Sequence, residues 1–280
     1  MQKEAARLAP IIERAWREPV YAAADEARKA VAGAIAHLDA GELRVAEPEG
    51  DRWVVHGWVQ MAILLYFRHR PAEPSGCGPL RFRDRIPIKH DLERQGVRVV
   101  PPGTARYGSF LEPDTVLMPG YVNIGAYVGR ATMIDTWATI GSGAQIGREV
   151  HISGGVGIGG VLEPPQAQPV IVEDGAFIGS RCVLVEGVQI GAGAVLGAGC
   201  VLTASTPIVD VRSSHPTVAR GAIPAGQVAI PGSWPRRFPA GEYSTPCVLI
   251  IGERQASTER KTRLNEILRE FPLVAEGEPE

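Results

Sequence analysis

Asp135-Thr136-Trp137 sets a carboxylate, a hydroxyl and an indole side by side in a stretch otherwise made of small and aliphatic residues. A carboxylate beside an amine nucleophile can orient it and take up its proton as an acyl group arrives. Asn123, His151, Ser153 and Glu163 add polar groups along the same stretch, and Arg98 and Arg181 add planar cations suited to bidentate contact with carboxylates. Each has a plainer explanation beside this one. Asn123 and Ser153 suit solvated corners, Glu163 suits surface charge, His151 suits a ring stacked on a corner, and surface arginines also serve solubility. Asp135 is the sharpest case, because its place in the pattern below normally holds glycine, alanine or a solvated acid.

These residues need a framework, and the spacing supplies one. An aliphatic residue falls at every sixth position: Val116, Val122, Val128, Ile134, Ile140, Ile146, Ile152 and Ile158, resuming at Val172, Ile178, Leu184, Ile190, Leu196, Leu202 and Ile208. Four residues after many of these comes a small one, such as Ala126, Thr132, Ala138, Ala144, Cys182 or Cys200, and Gly often follows directly. Neither the helix period nor strand alternation yields a strict six. A hexapeptide repeat does, and it predicts a parallel β-helix of about five coils at three hexads per coil. Between Ile158 and Val172 the spacing is fourteen residues, which reads as two hexads with two residues added. That interruption holds Glu163 and predicts a bulged turn of the kind that commonly lines binding sites. Beyond Ile208 the register fades, and it partly returns at 221–228.

Around the repeat, helical spacing predicts helices over 2–18, 22–40 and 57–68. A hairpin is expected where Leu43-Arg44-Val45-Ala46 and Trp53-Val54-Val55 flank Pro48-Glu49-Gly50-Asp51. Pro71 to Pro79 reads as a loop, and 80–100 as short strands and a helix before Val97-Arg98-Val99-Val100 enters the prism. Tyr243 to Gly252 reads as a strand, 257–271 as a polar helix, and the end as a disordered acidic tail. The expected division is a helical N-terminal domain over 1–97, a prism over 98–230 and a C-terminal segment over 231–280.

Composition narrows the function classes. Among 280 residues the formal net charge is −2, so no global basic field points to nucleic acid or an acidic membrane surface. Cys77, Cys182, Cys200 and Cys247 lack paired metal spacing and read as reduced and structural. No signal-peptide core and no apolar run of about eighteen residues are present, which predicts a soluble, cytoplasmic protein without a membrane span. Prisms of this kind serve acyl transfer from coenzyme A or the zinc chemistry of γ-type carbonic anhydrases. The latter needs three His ligands, and the repeat holds only His151. A solenoid that only binds partners is the remaining class, and the polar cluster at Asp135 argues against it.

The motifs carry a resemblance more specific than the hexads. Val99-Val100-Pro101-Pro102, the run from Val116 to Val128, the run from Thr132 to Ser142 and the run from His151 to Pro164 closely resemble the bacterial tetrahydrodipicolinate N-succinyltransferases of lysine biosynthesis. Leu43-Arg44-Val45-Ala46-Glu47 and Trp53 to Arg68 resemble that family's helical domain, and Asn265-Glu266-Ile267-Leu268-Arg269 its C-terminus. Nearly the whole chain is covered.

That resemblance implies a mainly β chain: a left-handed parallel β-helix with an α-helical N-terminal domain and a short C-terminal strand and helix. It implies a homotrimer with active sites between neighbouring prisms. There, an amine of opened, hydrated tetrahydrodipicolinate, a small diacid amino acid, would attack the thioester of succinyl-CoA, with no metal. Asp135 matches the family's substrate-site aspartate and Arg98 its arginine, with Arg181 as a second carboxylate clamp and Asn123, Trp137 and Ser153 as further substrate contacts. The pantetheine arm is expected near Gly197, Ala198, Thr203 and Ala204, and the nucleotide phosphates near Lys261. Two departures stand out. Where the family reads Ser-Glu-Val-Val-Glu-Gly, this chain reads Cys182-Val183-Leu184-Val185-Glu186-Gly187, so Val183 replaces a glutamate. The stretch from Ile208 to Arg220 and the residues before Lys261 also diverge. The alternative is therefore a paralogue of secondary metabolism, of the tabtoxin-pathway kind, that transfers acetyl from acetyl-CoA to a related amino acid.

Overall fold

Two-residue strands joined by short turns are the unit of the central body. The computed structural model describes residues 2–254 apart from Asp51 and Gln166. Three parallel ladders run along the prism. The first face begins Arg98–Val99, Val116–Leu117, Met133–Ile134, His151–Ile152, Phe177–Ile178 and Val195–Leu196. The second stacks Thr104–Ala105, Tyr121–Val122, Thr139–Ile140, Gly157–Ile158, Val183–Leu184 and Val201–Leu202. The third stacks Phe110–Leu111, Tyr127–Val128, Gln145–Ile146, Ile171–Val172, Gln189–Ile190 and Ala222–Ile223. The second and third faces have six strands each, so the prism holds six coils rather than about five. The extra coil comes first, where the inward Val99, Ala105 and Leu111 keep six-residue spacing with Leu117 but stand one residue out of phase with Val122 and the hexads after it.

The second residue of nearly every strand points inward, and Leu117, Val122, Val128, Ile134, Ile140, Ile146 and Ile152 are all fully buried. Burying such a side chain stabilises the fold by about 1.5–3 kcal/mol, so the column of aliphatics supplies most of the driving force. The structure corrects the register at one point. Leu117, not Val116, is the inward residue, while Val116 pairs on the outside with Arg98 and Met133. The turn Met118-Pro119-Gly120 is one residue short, and that deletion brings Val116 into apparent phase with Val122. The interruption is corrected too. Gly157–Ile158 is followed directly by Ile171–Val172, so 159–170 is one lengthened turn. Its base is pinned by the fully buried Gln60, whose Nε2 donates to Val161 O at 3.3 Å and to Ala167 O at 2.9 Å.

The N-terminal part comprises α1 (Gln2–Arg17), α2 (Pro19–Ala22), α3 (Asp25–Asp39), β1 (Ala46–Glu49), β2 (Arg52–Val55), α4 (Gly57–His69), β3 (Glu73–Cys77) and β4 (Leu80–Asp84). The three long helices lie where their apolar spacing predicts. Pro19 opens α2 as well as ending α1, as a proline at a first helical position can. The hairpin of β1 and β2 is tighter than expected, with Pro48 and Glu49 inside β1. Residues 71–79 are not an open loop, because β3 and β4 pair antiparallel across Gly78, which has φ +57°. No helix forms at 80–100, where 92–96 are turns.

One cluster of charged and aromatic side chains ties this part to the prism. The Arg44 guanidinium lies 3.8 Å from the Tyr127 ring centre and 5.6 Å from that of Trp53, and its Nε donates to Gln145 Oε1 at 2.9 Å. Tyr127 OH donates to Glu112 Oε1 at 2.6 Å, and Trp53 Nε1 donates to Glu173 Oε1 at 3.1 Å. At the far end, the expected strand Tyr243 to Gly252 lies within Gly241–Glu253, which forms a long antiparallel hairpin with Gln227–Phe238. The hairpin's start continues the first face, with Val228 beside Val195. The helix expected at 257–271 and the tail lie outside the described residues. Among the described residues no helix is long and apolar enough to cross a membrane.

Two outcomes follow. Ile146→Ala empties a fully buried position and should cost about 2–5 kcal/mol in urea unfolding. Burial, and then its bond to Glu112, pushes the Tyr127 phenol up to about 12 from 10.0. Its contribution to stability is therefore complete below pH 10 and is lost as the pH rises toward 12. Tyr127→Phe should flatten that part of the stability profile, measured by urea unfolding across alkaline pH.

Candidate functional site

The edge between the first and second faces carries most of the polar residues singled out from sequence. Asp135 and Ser153 each follow a first-face strand and stack directly, since Asp135 N donates to Ile152 O at 2.8 Å and Ser153 N to Ile178 O at 3.0 Å. Gly179 and Gly197 continue the column. Trp137, Gly155, Arg181 and Gly199 form a second column one step along the turn, all with left-handed backbone (φ +59°, +69°, +58° and +78°). Most positions of this type hold glycine, because a side chain there costs about 1–2 kcal/mol. Trp137 and Arg181 are the bulky exceptions on this edge. Such strain points to a functional requirement, and Trp137 stays 68% exposed, so packing does not explain it.

Asp135 is half-buried and uses one oxygen locally: Oδ1 accepts from Thr136 N at 2.6 Å and from Thr136 Oγ1 at 3.1 Å. Oδ2 makes no hydrogen bond among the described residues. The Arg181 guanidinium is likewise without a partner among them, and its side chain runs back over Gly155. Arg98 lies exposed on the first face two coils before Asp135. The edge and the adjoining first face thus display an unused carboxylate oxygen with one uncommitted guanidinium to either side along the prism. Such an arrangement can hold an amine and its flanking carboxylates.

Not every expected residue joins it. Asn123 sits on the next edge, with its Oδ1 accepting from Ile124 N at 2.9 Å and from Arg106 Nη1 at 3.1 Å. Glu163 is exposed on the lengthened turn of that same edge. His151 stacks on Phe177 along the first face, with ring centres 5.0 Å apart and planes 9° from parallel. Trp137 connects the edge to a cavity of about 530 Å³ between β4, the segment after it and the second face. Thr104, Tyr121 and Thr139 form its floor, and Arg106 stands at its side, paired with Asp84 at 2.7 Å. Burial pushes the Tyr121 phenol up, with Arg106 opposing. Sequence spacing missed Arg106, Tyr121 and Asp84: Arg106 and Tyr121 belong to the prism at positions the hexads do not mark, and Asp84 comes from β4, outside the repeat.

The residues expected to meet the donor divide between two edges. Gly197 and Ala198 extend the Asp135 edge, with Gly199 N donating to Ser180 O at 3.0 Å. Thr203 and Ala204 turn the next edge, where Ala204 N donates to Glu186 Oε2 at 3.2 Å. Between them lies Val201, 45% exposed on the second face. Val201 borders a cavity of about 700 Å³ lined also by Ser205, Thr206, Arg220, Trp234 and Arg236. Trp234 and Arg236 escaped the sequence reading, because nothing in the hexads marks the hairpin that carries them. Lys261 lies outside the described residues.

Comparison with known proteins gives this geometry a context. Residues 7–69 match the family model described as the N-terminal part of tetrahydrodipicolinate N-succinyltransferase, and residues 169–204 match the hexapeptide repeat of succinyl-transferase. The 2,3,4,5-tetrahydropyridine-2,6-dicarboxylate N-succinyltransferase of Acinetobacter baylyi is 46% identical over 273 residues, covering 94% of this chain and 98% of its own. Its counterpart in Polynucleobacter asymbioticus is 49% identical over 273 residues, covering 93% and 98%.

The display of Trp137 is testable by itself. Trp137→Gly removes an exposed indole from a backbone conformation that glycine adopts freely. Stability in urea unfolding should stay within about 1 kcal/mol; a larger loss would mean the indole is packed.

Proposed function

The chain belongs to the tetrahydrodipicolinate N-succinyltransferase family, and we propose that it transfers a succinyl group from succinyl-CoA to an amine of a tetrahydropyridine-dicarboxylate acceptor. The observation that carries this reading is Asp135 Oδ2, a free carboxylate oxygen on an edge otherwise built for close backbone contact. In this mechanism Oδ2 accepts a hydrogen bond from the attacking amine. The new N–C bond forms at the thioester carbonyl, the C–S bond breaks, coenzyme A leaves as a thiolate, and the amine's proton passes to Asp135. Arg98 neutralises an acceptor carboxylate. Trp137 and Ser153 border the acceptor, and Asn123 acts from the neighbouring edge by fixing Arg106. The donor's pantetheine arm runs from Ala198 across Val201 toward Thr203 and Ala204, and Lys261 meets its phosphates.

The wider frame of the proposal is a left-handed prism over 98–230, a helical domain over 1–97 and a C-terminal segment over 231–280. Three copies form a homotrimer in the cytoplasm, with sites between neighbouring prisms. The edge is open on one chain, which agrees with completion by a second copy. Val183 supports one further reading, the transfer of acetyl from acetyl-CoA to a related amino acid. It lies 37% exposed on the second face between Gly157 and Val201, where the family pattern has a glutamate.

Asp135→Asn keeps the turn and removes the base. Turnover, followed as coenzyme A thiol release from succinyl-CoA, should fall about 10²- to 10⁴-fold while circular dichroism and oligomer size stay unchanged. Near-normal turnover in the folded variant would reject Asp135 as the proton acceptor.

A further inference from the structure

Gly154 and Gly155 form a bare step between the unused Asp135 Oδ2 and the Arg181 guanidinium. A side-chain carbon placed on Gly154 would lie 3.8 Å from Asp135 Oδ2, and one placed on Gly155 would lie 3.3 Å from Arg181 Cγ and 3.9 Å from both its Cζ and its Nη1. Arg181 N also donates to Gly154 O at 3.1 Å, which fixes the root of the arginine to this step. Consecutive Cα atoms are about 3.8 Å apart, so the carboxylate and the guanidinium overlook a span of one small molecule's length. They do not pair with each other; Thr136 holds Asp135 Oδ1, while Oδ2 and the Arg181 guanidinium have no hydrogen-bond partner among the described residues.

A succinyl amide fits that span. From its nitrogen, through the carbonyl carbon and two methylenes, to the distal carboxylate carbon is four bonds, about 5 Å when extended. With the nitrogen at Asp135, the distal carboxylate falls above Gly155, where the guanidinium lies. The donor side agrees, because Gly197 and Ala198 continue this edge one coil beyond Arg181, whereas Arg98 lies on the opposite side of Asp135. Gly157 has open space above it, and Val183 beside it offers an apolar wall to methylenes and no competing charge.

We infer that Arg181 binds the distal carboxylate of the transferred acyl group and thereby selects a succinyl donor over an acetyl donor. This rests on the acyl-transfer reading of the Asp135 edge and makes Arg181 a specificity residue for the donor rather than a second clamp on the acceptor. A guanidinium in bidentate contact discriminates strongly, because an acetyl group leaves it unpaired.

The test measures kcat/KM for succinyl-CoA and for acetyl-CoA with one acceptor, in the wild type, Arg181→Gln, Arg181→Lys and Arg181→Gly. The wild type should prefer succinyl-CoA. In Arg181→Gln that preference should fall about 10- to 100-fold, chiefly through the KM for succinyl-CoA, and Arg181→Lys should restore part of it. Arg181→Gly suits the left-handed backbone and keeps the ratio readable if glutamine strains the turn. An unchanged ratio, an equal loss with both donors, or a wild type that prefers acetyl-CoA would overturn the inference. A wild type that transfers neither acyl group would instead remove the proposed function on which it stands.

Discussion

Placement along the active edge is governed by the hydrogen-bond ladder between coils. Asp135 N reaches Ile152 O at 2.8 Å, Ser153 N reaches Ile178 O at 3.0 Å and Gly179 N reaches Leu196 O at 2.9 Å. Each bond locks one turn onto the next, so residues at equal hexad positions become columns about 4.8 Å apart. The aliphatic core drives the coils together, but it is the ladder that decides what stands beside what. A carboxylate at the first turn position and an arginine at the third, two coils on, therefore face a common stretch of backbone without touching.

The same regularity makes exceptions informative. Glycine at the left-handed turn position carries no penalty, so a tryptophan and an arginine held there on one edge mark places where a side chain is needed more than an easy turn. The glycines at 154 and 155 complement them by leaving room. The N-terminal helices contribute differently. They are fastened to the third face through Arg44, Tyr127 and Glu112 and to the lengthened turn through Gln60, and they hold β3 and β4 against the second face, where the cavity of about 530 Å³ opens.

The fold was legible wherever one physical rule repeats. Six-residue spacing identifies the prism, and it also implies that Asp135 and Ser153, one coil of three hexads apart, share an edge; Arg181 and Gly197 join that edge only because 159–170 is a single turn. The same rule misleads where a turn changes length. The short turn at Met118-Pro119-Gly120 moved the apparent inward residue from Leu117 to Val116, and the long one at 159–170 was counted as an extra hexad. Asn123 shows a second limit: its polarity was evident, but its edge depends on which face its strand joins. Trp234 and Arg236 show a third. They reach their cavity from a segment that only tertiary packing brings to the prism, so no spacing marks them, and the β3–β4 hairpin was hidden by Pro74 and Gly76, which suit loops better than strands.

The most direct measurement is the mass of the acceptor product formed when the purified protein meets succinyl-CoA and tetrahydropyridine-dicarboxylate, or its stable analogue L-2-aminopimelate. An acceptor heavier by one succinyl group on nitrogen, formed one-for-one with released coenzyme A thiol, is the predicted result. Thiol release without an N-succinylated product, or no reaction with either acceptor, would contradict the account.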